Sequence, residues 1–351
     1  MKSERGMRTG RGRSDVATDV RRGFTLIELL IVIVIIGVLV GLIGPALMGA
    51  FRSARETGVV AEIKQLESAV AAFKAVYGVD PPSRIVLCEN ATDWDADNER
   101  KRSKALIRRI WPQFNFALNR NLNANERADL TTTSDPPTLD TDTDDVYYLN
   151  AGECLVFFLG GMPTLTEPKP APPGRFAYTM NGFAKDPANP FSTTGASREG
   201  PFFEFAPNRM ISTDGDRFPE YLDPLPGQSK PYIYLSSYEG AGYQSLDWSG
   251  TDFVNGPYIA KVEDANLNGT LDPGEDKITS PASTISVLEY HKPKSFQIVS
   301  PGIDGQFGVG GLFDASRVDQ SLKYTIPGMT ARNPEAEYDN LTNFHGGRLK
   351  R

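Results

Sequence analysis

The chain has 351 residues, of which 40% are hydrophobic, 10% aromatic and 23% charged, and its formal net charge is −7. An acidic protein with a mean hydropathy of −0.33 is not a polytopic membrane protein, and it lacks the basic surface that general nucleic-acid binding requires. Two cysteines, Cys88 and Cys154, exclude a disulfide scaffold and a four-cysteine zinc site. With His291 and His345 as its two histidines and with no serine-hydrolase, zinc-protease or phosphate-loop motif, the chain is predicted not to be an enzyme.

Charge is distributed unevenly along the chain. Residues 1–23 contain seven lysines and arginines against three acidic residues. The remaining residues are correspondingly acidic, with 30 basic side chains against 41 acidic ones. A basic segment ahead of an acidic body is typical of a protein whose N-terminus stays in the cytoplasm while the rest is exported.

Residues 23–51 form a strongly apolar stretch. From Leu29 to Phe51 there are 23 consecutive residues without a charge. As a helix with a rise of about 1.5 Å per residue, this run spans roughly 34 Å and crosses a hydrocarbon core of about 30 Å. It is too long for the apolar region of a cleaved secretory signal, and no small-residue cleavage site follows it. We therefore predict one membrane-spanning helix with its basic side in the cytoplasm.

One acidic residue lies near the start of this stretch. Glu28 is surrounded in sequence by apolar residues, and a carboxylate close to hydrocarbon usually has a partner. If the chain is cut after Gly23, the new amino group of Phe24 in a neighbouring copy can pair with Glu28. Alternatively, Glu28 lies at the level of the lipid headgroups and needs no partner. The composition of the segment does not distinguish these two interpretations.

The residues Gly23-Phe24-Thr25-Leu26-Ile27-Glu28, placed after two arginines and before a long apolar run, resemble the class III leader of type IV pilins and type II secretion pseudopilins. The resemblance implies that a prepilin peptidase cuts after Gly23 and methylates Phe24. It also implies that Glu28 neutralises the amine of an adjacent subunit in a filament. Pro45 stands where such pilins often have a helix-breaking proline. The leader, residues 1–23, is longer than is usual in this family.

A helical pattern continues beyond the apolar run. Six apolar residues recur at spacings of three and four, and charged residues lie off this stripe. They are Val59, Ile63, Leu66, Val70, Phe73 and Tyr77. Gly78 and Pro81 end the pattern. We therefore predict one long helix over residues 24–77, in which 24–51 is the transmembrane or filament-core part and the amphipathic part lies within 52–82.

Residues 83–351 are predicted to form an extracytoplasmic head. The stretch 83–147 is polar and poorly periodic, whereas Asn150 to Gly161 predicts a short buried helix that ends at glycines. Short strand-like runs alternate with turns from Phe202 onward, and the best strand candidates are residues 232–235, 285–290 and 295–299. The predicted fold class is α+β: a long N-terminal helix packed on a small antiparallel sheet with long loops, which is the pilin fold.

Three stretches of the head resemble the major pseudopilin of type II secretion. They are Asp223-Pro224 followed by Lys230-Pro231-Tyr232-Ile233-Tyr234, the loop Ser300-Pro301-Gly302-Ile303-Asp304-Gly305, and the C-terminal Asp339-Asn340-Leu341-Thr342-Asn343-Phe344. Because major pseudopilins bind calcium in this region, the resemblance implies a Ca²⁺ site at Asp304 and Asp339, assisted by oxygens near Ser300. A simple turn is the alternative interpretation of Asp304. Residues 83–200 and 312–338 are insertions relative to the family pattern.

The segment 264–275 independently fits the template of a twelve-residue calcium loop. Oxygen-bearing side chains occupy its first, third, fifth, ninth and twelfth positions, a glycine occupies the sixth, and the seventh offers a backbone carbonyl. The predicted ligands are Asp264, Asn266, Asn268, Thr270, Asp272 and Glu275. The usual flanking helices are not predicted, because a strand-like run precedes the segment and Pro281 follows it. An ordinary turn rich in Asn, Asp and Gly is therefore the alternative.

Together these features predict a structural subunit of a type II secretion pseudopilus, anchored in the inner membrane by one helix with its head in the periplasm. The resemblance implies several partners: copies of the same chain in a filament, other pseudopilins, a prepilin peptidase, and an inner-membrane assembly platform with its cytoplasmic ATPase. Within the family, the alternative is a type IV pilus pilin for adhesion or DNA uptake. Outside it, the alternative is a membrane-anchored calcium-dependent binding protein, which would keep residues 1–23.

Overall fold

The computed structural model describes residues 25–120, 122, 145–167, 177–195, 197–213, 218–249, 251, 253–262, 287–316, 330–331 and 333–350. The chain divides into two compact units, Met1–Arg52 and Ser53–Arg351. Helices and short strands are both present in the described residues, so the predicted α+β class is confirmed.

The first element is a long helix, α1 (Leu26–Tyr77), of 52 residues. Its end coincides with the predicted one, and its start lies within two residues of the predicted Phe24. The helix assignment continues through Pro45 without a break. Gly78 ends the helix in a left-handed conformation with a φ of 80°, and its N–H donates to the carbonyl of Lys74 at 2.8 Å.

In the first unit, apolar side chains occupy all faces of α1 and are exposed. Leu26 is 82% exposed, and at the other end of the run Phe51 is still 55% exposed. A helix that is apolar on every side has no polar face to turn toward water. Its length and composition suit a membrane span, as the sequence predicted.

In the second unit, α1 buries one stripe and exposes the rest. Val59, Leu66 and Phe73 are 0% exposed, in agreement with the predicted spacing. Much of the aromatic packing on this stripe comes from outside any sheet. Phe73 makes edge-on contacts with Phe158 and Phe202, each with a centroid separation of 5.6 Å. The core of this unit therefore forms where the amphipathic part of α1 meets aromatic residues of the head.

The strands of the described residues are short. They are β1 (Ile85–Cys88), β2 (Val146–Leu149), β3 (Pro163–Glu167), β4 (Ala177–Met180), β5 (Phe183–Ala184), β6 (Arg198–Glu199), β7 (Met210–Ile211), β8 (Glu220–Tyr221), β9 (Ile233–Ser236), β10 (Ile259–Val262), β11 (Val287–Tyr290), β12 (Phe296–Ser300) and β13 (Leu341–Thr342). The three predicted strand candidates correspond to β9, β11 and β12.

These strands form one three-stranded sheet and several two-stranded ones. The larger sheet has the order β13-β12-β9, and both of its pairings are antiparallel. In its register Val299 pairs with Ile233 on one side and with Thr342 on the other. The predicted small antiparallel sheet is therefore confirmed. The other strands pair as separate ribbons, such as β1 with β2.

Two helices complete the described part of the head. α3 (Ala151–Gly160) is the predicted buried helix, and a capping box between Asn150 and Glu153 fixes its start. α2 (Asn98–Ile110) lies in a stretch that the sequence predicted to be irregular, so that prediction was wrong there. Asp97 caps α2 by accepting from Arg100 N at 2.8 Å.

Candidate functional site

The predicted processing site, Gly23 and Phe24, lies outside the described residues. The description begins at Thr25, which caps α1. Its backbone N–H and its hydroxyl both donate to Glu28 Oε2, at 2.8 and 2.7 Å, and Glu28 N donates back to the Thr25 hydroxyl at 3.3 Å. This reciprocal arrangement is a capping box. Sequence reasoning overlooked it, although the pattern Thr-x-x-Glu ahead of an apolar run is its usual signature.

The capping box gives the Glu28 carboxylate a hydrogen-bond partner, Thr25, within its own chain. The carboxylate therefore does not need a second subunit to be hydrogen-bonded. Its side chain is nevertheless exposed. An exposed carboxylate at the first turn of an apolar helix is available to a positive group as well, since each carboxylate oxygen accepts more than one hydrogen bond.

The second predicted site is formed by the turn at residues 302–305 and by Asp339. Asp339 Oδ2 accepts from the N–H groups of Ile303 and Asp304, at 2.7 and 3.0 Å. Gly302 makes this close approach possible, because a Cβ at that position would lie 2.3 Å from the Asp339 carbonyl oxygen. The structure therefore brings Asp304 and Asp339 together across the 312–338 insertion.

The two aspartates differ in exposure. Asp304 is exposed and folds its Oδ1 back to accept from Gln306 N at 2.8 Å, whereas Asp339 is only 8% exposed. Desolvation, followed by the nearby charge of Asp339, raises the pKa of Asp304 above its usual value. A cation between two such carboxylates would relieve their mutual repulsion.

Ser300 was predicted to assist the Ca²⁺ site, but its hydroxyl is hydrogen-bonded to Asp223 and Gly302. Its hydroxyl donates to Asp223 Oδ2 and accepts from Gly302 N at 3.2 Å. Asp223 is 1% exposed, and desolvation raises its pKa to about 6 despite the hydrogen bonds it accepts. Ser300 thus links Asp223 to the first residue of the turn, Gly302.

Oxygen chemistry at this turn suits a hard divalent cation such as Ca²⁺. Asp339 Oδ1 is buried and accepts no hydrogen bond from the part of the chain that the structure describes, which leaves a ligand position open. The donor set is small, because no group of three or more His, Cys, Asp or Glu side chains occurs in the described part of the chain. The other predicted calcium loop, residues 264–275, lies outside the described residues.

The two cysteines are buried in the head. Cys88 and Cys154 are buried free thiols, and burial raises the pKa of Cys88 to about 12. Thiols in that state are not reactive at neutral pH.

His291 stacks on Phe344 with a centroid separation of 4.3 Å, and its Nε2 lies 2.8 Å from the Phe313 carbonyl oxygen. The ring of His291 is half-buried and packed between aromatic groups.

Comparisons with known proteins agree with the N-terminal features. The prokaryotic N-terminal methylation motif matches residues 19–44. The chain therefore carries this motif, and the resemblance predicted from residues 23–28 is confirmed.

The same end of the chain is similar to type II secretion system core protein G. The match to the protein of Escherichia coli (strain K12) is 50% identical over 58 residues, which is 16% of this chain and 40% of that protein. The matches in Pectobacterium carotovorum and Klebsiella pneumoniae are 48% and 46% identical over 54 residues, covering 35% and 39% of those proteins. The chain thus matches less than half the length of these relatives. No solved structure matches it significantly.

Proposed function

We propose that this chain is a structural subunit of a type II secretion pseudopilus. The observation that carries the proposal is the methylation motif over residues 19–44, followed by an α1 whose first half is apolar on every side. Similarity to core protein G points to secretion and not to a surface pilus. The work of such a subunit is assembly.

The chain waits in the inner membrane as a single-pass protein with residues 1–23 in the cytoplasm and the second unit in the periplasm. The basic charge of residues 1–23 supports this orientation. A prepilin peptidase then cuts after Gly23 and methylates Phe24. Copies of the chain, with other pseudopilins, stack by their helices on an assembly platform that is driven by a cytoplasmic ATPase.

Glu28 and Pro45 act in this assembly. In a filament core without water, the positive amine of Phe24 is costly unless a carboxylate neutralises it, and Glu28 of the adjacent subunit supplies one. Glu28 keeps its capping bond to Thr25 while it does so. Pro45 has no amide hydrogen, so α1 lacks one backbone hydrogen bond at that point and can adapt there during packing.

Processing tests the proposal directly. Mass spectrometry of the protein extracted from membranes of a host that contains a prepilin peptidase should show an N-terminus at methylated Phe24. Gly23→Ala should retain residues 1–23, because the peptidase requires a small residue before the cut. Gly37→Ala is the matched control, since a Cβ there meets no atom within 4 Å. A mature protein that still begins at Met1 would favour the membrane-anchored binding protein.

The role of Glu28 is tested by two variants of one capping box. Glu28→Leu should insert into the membrane normally yet fail to form filaments when the secretion genes are overexpressed. Thr25→Ala removes the hydroxyl that bonds Glu28 but keeps the carboxylate, so filaments should still form, with a capping loss of about 1 kcal/mol. If both variants lose filaments equally, Glu28 serves the helix start and not the neighbouring amine.

A Ca²⁺ ion at the 302–305 turn is the second element of the proposal. Asp304 and Asp339 would hold it, and the buried Asp339 Oδ1 without a hydrogen-bond partner supports the site. The ion would fasten the C-terminal segment to the turn and so stabilise the folded head in the calcium-containing periplasm. The twelve-residue loop at 264–275 stays a separate prediction.

A further inference from the structure

A glutamine that no sequence motif marks lies beside the 302–305 turn. Gln228 is only 6% exposed. Its amide nitrogen donates to Asp223 Oδ2 at 2.9 Å and to the Gly302 carbonyl. Both partners are acceptors, so the orientation of the amide is fixed: the nitrogen must face Asp223 and Gly302, and Oε1 must face the other way.

Asp223 holds this arrangement in place. Its Oδ1 accepts from Leu225 N at 2.9 Å, and its Oδ2 accepts from Ser300 and from Gln228. A carboxylate that is 1% exposed and accepts three hydrogen bonds is itself well fixed. Asp223 therefore restrains Gln228 in one rotamer.

The freed oxygen of Gln228 has no hydrogen-bond partner among the described residues. Oε1 is buried and accepts no hydrogen bond, as is the case for Asp339 Oδ1. Leaving a buried acceptor unpaired costs free energy, and few native groups do so without a reason. Two such oxygens at one turn point to a shared partner.

Both side chains lie against the same turn, residues 302–305. A Cβ at Gly305 would lie 3.3 Å from Gln228 Oε1, and a Cβ at Gly302 would lie 2.8 Å from Asp339 Cγ. The backbone N–H groups of residues 302, 303 and 304 are already donated to Ser300 and Asp339. The turn therefore has few N–H groups left that could donate to Gln228 Oε1 or Asp339 Oδ1.

We infer that Gln228 Oε1 is a third protein ligand of the cation held by Asp304 and Asp339, with Asp223 as the residue that positions it. The inference rests on the proposed cation site and names a ligand from a segment 74 residues away from the turn. A neutral carboxamide oxygen is a normal Ca²⁺ ligand, and it adds coordination without adding to the repulsion between the two carboxylates.

The test counts the water molecules bound to the ion, and their number shows how many coordination positions the protein fills. Eu³⁺ replaces Ca²⁺ in oxygen sites, and its luminescence lifetimes in H₂O and D₂O report the number of waters bound to the ion. We use the full chain in detergent with Glu275→Ala, which removes the twelfth residue of the separate calcium loop. Gln228→Met should add about one water to the bound Eu³⁺ and weaken Ca²⁺ binding about tenfold. Gln113→Met, at an exposed glutamine, should change neither value.

Asp223→Asn separates positioning from ligation. It should weaken Ca²⁺ binding in the parent chain but have no further effect once Gln228→Met is present, because its action passes through Gln228. Melting in EDTA shows whether each variant folds. Gln228→Asn, which withdraws the oxygen but keeps the amide, takes the place of Gln228→Met if that variant does not fold.

The outcomes distinguish the two levels of the proposal. If Ca²⁺ does not bind the parent chain, or binds it unchanged after Asp339→Asn, the cation site itself is wrong and this inference falls with it. If Asp339→Asn abolishes binding while Gln228→Met leaves the water count and the affinity unchanged, the site stands and Gln228 is not a ligand. Additive losses from Asp223→Asn and Gln228→Met would overturn the positioning role.

Discussion

The two parts of α1 have the same secondary structure but differ in what they contact. In the first unit every face is apolar and exposed, whereas in the second unit only a stripe with a spacing of three and four residues is apolar, and that stripe is buried. Both parts have a helical backbone, so the side-chain pattern decides the surroundings that each part requires. The first part needs an apolar environment from outside the chain, and the second finds one within its own head.

The same substitution made in both parts of α1 tests this difference. Phe73→Ala should lower the free energy of unfolding by about 4 kcal/mol, because the ring is 0% exposed and leaves a cavity. Phe51→Ala in the same helix should change it by less than about 0.5 kcal/mol, since that ring is 55% exposed. Guanidinium unfolding of the full chain in detergent measures both. Equal losses would show that the two parts are not energetically distinct.

A smaller effect is expected at the ion pair that Glu62 of α1 makes with Arg209. Arg209 Nη1 donates to Glu62 Oε2 at 2.9 Å, and the hydroxyl of Tyr232 donates to the same oxygen at 2.9 Å. Arg209→Met should cost about 2 kcal/mol, at the low end for a buried pair because both side chains retain some solvent contact.

The control for this pair lies on the same helix. Lys64 pairs with Glu67 at 2.7 Å, but its side chain is 60% exposed. Lys64→Met should therefore cost no more than about 0.5 kcal/mol in the same unfolding measurement. A loss as large as that of Arg209→Met would mean that burial does not set the strength of these pairs.

The smallest expected effect is a pH dependence confined to the second unit. Burial lowers the pKa of His291 from its usual 6.5, so the unfolded chain binds a proton there more readily than the folded chain. Stability from this residue is therefore present above pH 6.5 and is lost as the pH falls below it. His291→Gln should make the melting temperature less sensitive to pH in this range. An unchanged pH profile would contradict the burial of this ring.

Long periodic segments were predictable from the sequence, and short or charged ones were not. The stripe from Val59 to Tyr77 and the apolar run Ala151–Gly160 each repeat often enough to define a helix. α2 was missed because its buried residues are only Ser103, Ile107 and Ile110, among six lysines and arginines. Strands of two residues, such as β7 and β8, are defined by their partners and carry no periodicity of their own.

In the candidate Ca²⁺ site, too, some residues were predictable from the sequence and others were not. Asp304 and Asp339 were predictable because their motifs resemble those of a known family, and the structure does bring them together. Gln228 was not predictable, because a glutamine in a proline- and glycine-rich stretch gives no metal signal. Its proposed role follows from a tertiary contact with Gly302 and from an oxygen that accepts no hydrogen bond from the described residues.

The attachment of β1 to its neighbours has a consequence for how this head can diverge. Glu89, directly after β1, accepts from Leu122 N through its side chain, and its backbone N–H donates to the carbonyl of Asp145 at 3.1 Å. Residues 122 and 145 are thus both hydrogen-bonded to Glu89. Length changes between these two points cost little closure entropy and do not shift the register of β1 against β2. Mutations that lengthen or shorten the chain there can accumulate over generations while the core and α1 remain constant.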